Sequence, residues 1–441
     1  MPKLKLVTFG CQANVLDSAR IAGLMAREGY VLTEDESDAD LIILNGCSIR
    51  DKAAQKLFSR LGTLRVLKAR RPTLRLGVVG CLAQHEGASL LDRFPYLDLV
   101  VGSGEHLAAI PRLLANAEIA PSALIEEPTG FFPDETAVQR DSAVRAWVGI
   151  MEGCDNYCSF CVVPHTRGRE RSRPPEDILR EVQQLAAQGY REITLLGQTV
   201  DSYGKKLDPP VRFADLLARI DGRLLPGTRV RFTTSHPQDV TPELAEALAV
   251  LPSLCEHVHL PVQAGSDRTL ERMRRGYTRA GYLERVAMLR QAVPDLAITT
   301  DLIVGFPGET SEDFSESLSL MEAVRFDGAF AFKYSPRAGT PAAMRSDQIA
   351  EAVKSERLQQ ILSLQRLHAE ERNRATVGQT VEVMIDRSLS KREGGLQAGR
   401  SRQNKIVHFS ADCELAEGAL ASVEITEATA YHLKGVLIAS P

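Results

Sequence analysis

Three cysteines crowd one short stretch, Gly153-Cys154-Asp155-Asn156-Tyr157-Cys158-Ser159-Phe160-Cys161, at a C-x3-C-x2-C spacing. Thiolates are the ligands of iron–sulfur clusters, and a cubane usually takes four of them. Three from one loop leave one iron open, as catalytic metals keep a position for substrate. Phe160, just before the third cysteine, can shield such a cluster from water and so tune its potential. Two blander readings exist: three buried structural cysteines, or a zinc site short of a ligand. Zinc ligands usually come in C-x2-4-C pairs with a second pair far along the chain, which disfavours the latter.

A second set of cysteines is spread out. Cys11, Cys47 and Cys81 each follow a glycine, at separations of 36 and 34 residues. Each closes a short apolar run, Lys5–Phe9, Leu41–Leu44 and Leu76–Val79, and a helical pattern follows each run. This predicts an open parallel sheet over residues 1–117, with its ligand crevice at the carboxyl ends of the strands. Helix N-termini there favour thiolate. Three unrelated core cysteines would fit the same pattern; a second cluster with a three-cysteine shell is the sharper reading.

The elements that must carry the first loop come next. Residues 118–145, rich in proline and acids with no sustained periodicity, read as a linker. From Ala146 the chain repeats strand-then-helix, with strands expected at Ala146–Met151, Glu192–Leu196, Val230–Thr234, His257–Leu260, Ile298–Val304 and Ala329–Tyr334. Six such units wound in one sense make a partial barrel whose site lies at the carboxyl strand ends. Cys154 follows the first strand. Turns containing Gln198, Ser235, Gln263 and Gly305 follow later ones, and glycines there permit close approach of backbone to a ligand. A long charged helix over Asp347–Arg374 reads as a connector. After it, alternating segments at Thr380–Ile385, Lys405–Phe409, Ala421–Ala428 and Lys434–Ile438 predict a small β-barrel.

Composition sets the frame. With 441 residues, 44% hydrophobic and 25% charged, the chain has the make-up of an ordinary multidomain globular protein. Eight cysteines are too few for a disulfide scaffold and suit a reducing compartment. No apolar run is long enough to span a membrane, and the N-terminus lacks a signal-peptide core, so a cytoplasmic location is expected. Net charge is −4, so any nucleic-acid contact must come from local basic patches. Two stand out: Arg167, Arg169, Arg171 and Arg173 after the cluster loop, and Arg387, Lys391, Arg392, Arg400, Arg402 and Lys405 in the β-barrel. Either is also compatible with a solvated surface. Small β-barrels with basic loops commonly bind RNA. Cys255 and Cys413 have no spaced partners and are expected to be small core residues.

The cluster loop resembles that of the radical S-adenosylmethionine (SAM) superfamily, in which SAM chelates the open iron. Along nearly its whole length the chain resembles the methylthiotransferase family. The carrying segments are Gly10-Cys11-Gln12-Ala13-Asn14, Cys47-Ser48-Ile49-Arg50-Asp51-Lys52-Ala53 and Gly80-Cys81-Leu82-Ala83-Gln84. With them go Cys161-Val162-Val163-Pro164-His165-Thr166-Arg167-Gly168 and Lys333-Tyr334-Ser335-Pro336-Arg337-Ala338-Gly339-Thr340-Pro341. Ala13, Gly46 and His165 depart from the family pattern without removing a cysteine.

The resemblance implies an α/β multidomain protein: an auxiliary-cluster domain (1–117), a linker (118–145), a radical SAM core (146–374) built on a partial (β/α)6 barrel, and a TRAM-type β-barrel (375–441). It implies two [4Fe-4S] clusters, one on Cys154, Cys158 and Cys161 and an auxiliary one on Cys11, Cys47 and Cys81. SAM would serve as methyl donor and radical source, with Gln198, Ser235, Gln263 and Gly305 as contact candidates. A 5′-deoxyadenosyl radical would take the C2 hydrogen of N6-isopentenyladenosine at position 37 of a tRNA, beside the anticodon, and the auxiliary cluster would deliver a methylated sulfur. A target base must be splayed from a single-stranded loop to reach such a site. The expected partners are a tRNA anticodon stem-loop, held in part by Arg167, Arg400, Arg402 and Lys405, a flavodoxin- or ferredoxin-like electron donor, and an iron–sulfur carrier or repair protein. The chain is expected to act as a monomer.

Two rivals remain at this stage. A sister methylthiotransferase would act on threonylcarbamoyladenosine in tRNA or on a ribosomal-protein aspartate. A non-catalytic iron–sulfur protein that binds RNA or carries electrons would saturate each cluster with four cysteines; this chain has two sets of three.

Overall fold

The structure, a computed structural model, describes residues 1–116, 121–132, 138–390, 396–411 and 413–439. The basic residues Lys391 and Arg392 noted above lie outside the described residues.

The first sheet holds six parallel strands, β1 (Lys3–Phe9), β2 (Val31–Leu32), β3 (Leu41–Gly46), β4 (Arg75–Val79), β5 (Leu99–Val101) and β6 (Ser122–Leu124), in the order β2-β1-β3-β4-β5-β6. The central strands are buried on both faces, which is why Leu41-Ile42-Ile43-Leu44 reads as an unbroken apolar run. β6 lies within the stretch expected to be a linker. It is three partly exposed residues at the sheet edge, too short to carry an alternating pattern. Helix α1 (Gln12–Arg27) follows β1, α2 (Asp51–Arg70) follows β3 and α3 (Cys81–Glu86) follows β4.

The second unit is the open barrel. β7 (Arg145–Gly149) is followed by a short hairpin, β8 (Met151–Glu152) with β9 (Arg171–Ser172). Then come β10 (Glu192–Leu196), β11 (Arg229–Thr233), β12 (His257–His259), β13 (Ala297–Val304) and β14 (Gly328–Lys333). They form two parallel triplets, β7-β10-β11 and β12-β13-β14. The triplets meet where the Ser235 amide donates to the His259 carbonyl at 3.2 Å. All six expected barrel strands are present, within a residue or two at each end. Alternate strand residues such as Ile193, Leu195, Val230 and Phe232 point out into the main core with the surrounding helices. The helix Glu351–Arg374 lies along β14; Lys354 reaches the Tyr334 carbonyl at 3.1 Å, so this connector is part of the barrel wall.

The last unit is a closed five-stranded barrel of β15 (Thr380–Ile385), β16 (Gln397–Ser401), β17 (Ile406–Ser410), β18 (Leu420–Ala428) and β19 (Leu433–Ala439). β16 occupies residues expected to be a basic loop. Its sequence, Gln-Ala-Gly-Arg-Ser, has no apolar alternation, and its strand character comes from pairing with β15 and β17 on either side.

This small barrel caps the amino-terminal end of the open one. Arg229 and Arg231, at the start of β11, donate to the Arg400, Ser401 and Arg402 carbonyls at 2.7–2.8 Å. Arg402 in turn donates to Glu256 at 2.7–2.9 Å, and Lys405 lies 3.3 Å from Asp327. The expectation that Arg400, Arg402 and Lys405 form an RNA-facing patch is therefore corrected. Arg402 and Lys405 point into the interface between the two barrels, where carboxylates of the larger one take their charge, and the largely buried Arg400 donates to Asn404 Oδ1 at 3.3 Å within the small barrel. Cys413 is also corrected: it is exposed, whereas Cys255 is buried as expected.

Candidate cluster sites at the barrel mouth

The loop after β7 is held in one shape by its backbone. Gly153 has φ +77°, and a Cβ there would run into the Gly168 and Arg169 carbonyls, so only glycine fits. The Cys154 amide donates to the Gly168 carbonyl (3.2 Å) and the Cys161 amide to the Cys158 carbonyl (3.0 Å). Ser159 is tied to the Met273 carbonyl by its amide (3.0 Å) and to the Arg272 carbonyl by its hydroxyl (2.7 Å). Phe160 packs edge-to-face on Phe306, with ring centres 6.3 Å apart, and so walls the loop with an aromatic pair.

Burial pushes the Cys154 thiol up to about 11 and the Cys161 thiol to about 12, and the neighbouring Cys158 sulfur adds to both. Thiols gathered this closely out of water are poor anions unless a metal takes their charge. Arg275 supplies part of the compensation. Almost wholly buried, it donates to Cys158 Sγ (3.4 Å), the Pro261 carbonyl (3.1 Å) and Tyr277 Oη (3.0 Å). Sequence reasoning missed Arg275, which lies 117 residues from Cys158 and belongs to no local motif.

The second triad assembles at the carboxyl edge of the first sheet. Cys11 caps α1: its Sγ and the side chain of Asn14 form a reciprocal capping box. Cys47 follows β3, and Cys81 opens α3 after Gly80 at φ +87°. The Cys11 thiol is brought down to about 5, first by a hydrogen bond from Cys47 and then by the charge of Arg167, against the effect of burial. The same bond, with burial, pushes Cys47 up, and burial raises Cys81. The three sulfurs thus act on one another.

Arg167 joins the two sites. It is 5% exposed, donates from Nε to Cys81 Sγ at 3.2 Å, and pairs with Asp17 at 2.5 Å. Its expected role as an RNA contact is corrected: a guanidinium enclosed by Cys81 and Asp17 cannot reach a phosphate. Arg173 is likewise turned inward to the Gly149 carbonyl and Glu181, and Arg171 to the Pro128 and Gly130 carbonyls. Of the four arginines only Arg169 is exposed, 2.9 Å from Asp155. Further ties hold the first sheet over the barrel mouth: Arg20 to Glu152 (3.3 Å), Ser103 to the Thr166 carbonyl (2.6 Å), and Arg337 to Asp51 and the Ile49 carbonyl.

The four SAM-contact candidates follow four successive strands at this mouth. Gln198 is partly buried, with its side-chain carbonyl unpaired among the described residues. Ser235 donates to Asp201 at 3.0 Å. Gln263 has φ +70°, and its amide donates to the Asp301 carbonyl at 2.9 Å. Gly305 has φ +69° and gives its amide to Glu309; a Cβ there would strike Lys354.

Among the described residues, no three His, Cys, Asp or Glu side chains are arranged as ligands of a single metal ion. A cube places each thiolate on a different iron and so needs a wider spread of sulfurs. Six soft donors in two open triads suit iron–sulfur clusters and not a lone zinc.

A six-stranded open barrel with a three-cysteine loop at its mouth defines a radical SAM protein, and the comparisons agree. Residues 148–321 match the Radical SAM superfamily, and residues 3–102 match the Uncharacterized protein family UPF0004. Among solved structures the fold is similar to the radical S-adenosylmethionine methyltransferase TsrM from Kitasatospora setae. The TM-score is 0.57 at 15% identity, over 78% of this chain and 77% of that one. Relatives named tRNA-2-methylthio-N(6)-dimethylallyladenosine synthase are far more similar in sequence. The protein from Carboxydothermus hydrogenoformans is 47% identical over 98% of both chains, and that from Syntrophobacter fumaroxidans 47% identical over 98% of this chain and 95% of its own. The chain belongs to the tRNA-2-methylthio-N(6)-dimethylallyladenosine synthase family.

Proposed function

We propose that this protein is a radical SAM tRNA methylthiotransferase that converts N6-dimethylallyladenosine, beside the anticodon, to its 2-methylthio derivative. The observation that carries the reading is the placement of two cysteine triads on facing units, joined through Arg167. Cys154, Cys158 and Cys161 would hold one [4Fe-4S] cluster, the one that binds SAM, and Cys11, Cys47 and Cys81 would hold the other. When bound, these groups supply a carbon-centred radical that removes the C2 hydrogen and the sulfur that replaces it. The chain's own part is to hold and insulate. Arg275 fixes Cys158, Arg167 keeps Cys81 in register with the barrel mouth, and Phe160 with Phe306 keeps water from the loop. Gln198, Ser235, Gln263 and Gly305 line the mouth for SAM.

On this reading residues 1–117 carry the auxiliary cluster, 146–374 are the radical SAM core and 375–441 the TRAM unit, with 118–145 joining the first two. The protein works as a cytoplasmic monomer with a flavodoxin- or ferredoxin-type donor and an iron–sulfur carrier. No helix among the described residues is long and apolar enough to cross a membrane. Nucleoside mass spectrometry of tRNA from a deletion strain tests the function. The 2-methylthio derivative should vanish and its dimethylallyl precursor accumulate; unchanged nucleosides would refute it.

A further inference from the structure

Arg167, Arg400, Arg402 and Lys405 are turned into the fold, yet a chain of net charge −4 that acts on tRNA needs a local basic surface. α2 provides one. From Lys52 to Arg70 it carries six cations and no acid. Its one acid, Asp51, is paired with Arg337. The helix buries Leu57, Leu61 and Leu64 and turns Lys52, Lys56, Ser59, Thr63 and Arg70 outward, all on one stripe at 3.6-residue periodicity. Arg60 is paired with Glu36 and Lys68 with Asp98, whereas Lys52, Lys56 and Arg70 have no carboxylate partner among the described residues. The acids nearest the stripe are also engaged: Glu34 with Lys5, Glu36 with Arg60, and Asp35 with Ser37.

Position sets the partner. α2 starts four residues after Cys47, and Arg50 just before it donates to the carbonyl of Gly10, next to Cys11. The stripe therefore begins at the auxiliary triad and runs away from it for about 27 Å between Lys52 and Arg70, at 1.5 Å per residue. Exposed hydroxyls and amides between the cations suit phosphate and ribose oxygens. Resting on the function proposed above, we infer that the outer face of α2 is the track for the substrate RNA backbone. Lys52 and Lys56, one turn apart, contact neighbouring phosphates and Arg70, about 21 Å further along, a more distant one, as the strand leads the target nucleotide in between the two triads.

The test is binding of a stem-loop RNA containing N6-dimethylallyladenosine to full-length protein over a KCl series. K52E/K56E/R70E should weaken binding at least tenfold at 0.1 M salt. It should also cut the slope of log K against log[salt] by about 2–3 units, three contacts at roughly 0.7–0.9 each. Thermal melting and bound iron should stay as in the wild type. The milder K52Q/K56Q/R70Q variant should cut the slope in the same direction. R180E/R223E, on the outer helix Pro175–Ala187 and in the turn after the helix Phe213–Asp221, should leave it alone. An unchanged slope in the α2 variants overturns the proposal, as does capture of an acidic protein by α2 in place of the RNA. Failure of the wild type itself to bind or modify the RNA would instead strike the proposed function.

Discussion

Arg167 of the open barrel donates its Nε–H to Cys81 Sγ of the first sheet at 3.2 Å while Asp17 takes its other edge at 2.5 Å. The contact ties the loop after one triad to a sulfur of the other. Both Arg167 and Asp17 are buried, and without Arg167 the carboxylate keeps only Arg20 at 3.9 Å, so the loss leaves a poorly paired buried charge. Arg167→Ala should cost about 3–5 kcal/mol in stability. The Arg167→Ala/Asp17→Ala double variant should recover much of that in denaturant melts. Additive losses in the cycle would show that the pair is not coupled.

The two triads should separate by function. Cys154, Cys158 and Cys161 replaced by alanine should leave about half the iron after anaerobic reconstitution and make no 5′-deoxyadenosine. The Cys11, Cys47 and Cys81 triple variant should still cleave SAM but form no methylthio product on dimethylallyladenosine-containing tRNA. Wild-type product from that second variant would place the sulfur source elsewhere.

Arg402 should matter for assembly and not for RNA. It gives its guanidinium to Glu256 and to the Pro252 and Leu254 carbonyls. Arg402→Ala should destabilise the protein by about 1–3 kcal/mol, the cost of groups left unsatisfied in an interface. The salt slope of RNA binding should be unchanged. A lower slope with an unshifted melting temperature would return Arg402 to the RNA surface.

Asp201 carries a pH prediction. Burial, with Asp239 nearby, raises its carboxyl from the ordinary value to about 7, against the Ser235 hydrogen bond and the charge of Lys205. In the folded protein the acid form is favoured, so stability falls as pH rises from about 4 and levels off above about 7. Asp201→Asn keeps the shape and cannot ionise. It should leave the melting temperature at pH 4 almost unchanged and raise it at pH 8. Equal shifts at both pH values would mean that ionisation is not the cause.

Cysteine spacing and strand alternation were legible because both are local. A three-cysteine loop needs only neighbours along the chain to gather its sulfurs. Runs such as Leu41–Leu44 and Ile298–Val304 declare buried strands by their own side chains. The auxiliary triad was legible at one remove, because regular βα units return each strand end to the same edge. The short strands β6, at a sheet edge, and β16, within the closed barrel, were not, since their pairing depends on neighbours and not on their own residues. The destinations of the arginines were the least legible. A guanidinium looks the same in sequence whether it meets a phosphate or a carboxylate. Which one it meets depends on the surface docked over it: Asp17 and Cys81 over Arg167, Glu256 over Arg402, and the cluster loop over Arg275. Those partners come from 86 to 150 residues away; closure of the open barrel brings Cys158 to Arg275, and packing of the units against one another brings the rest into reach.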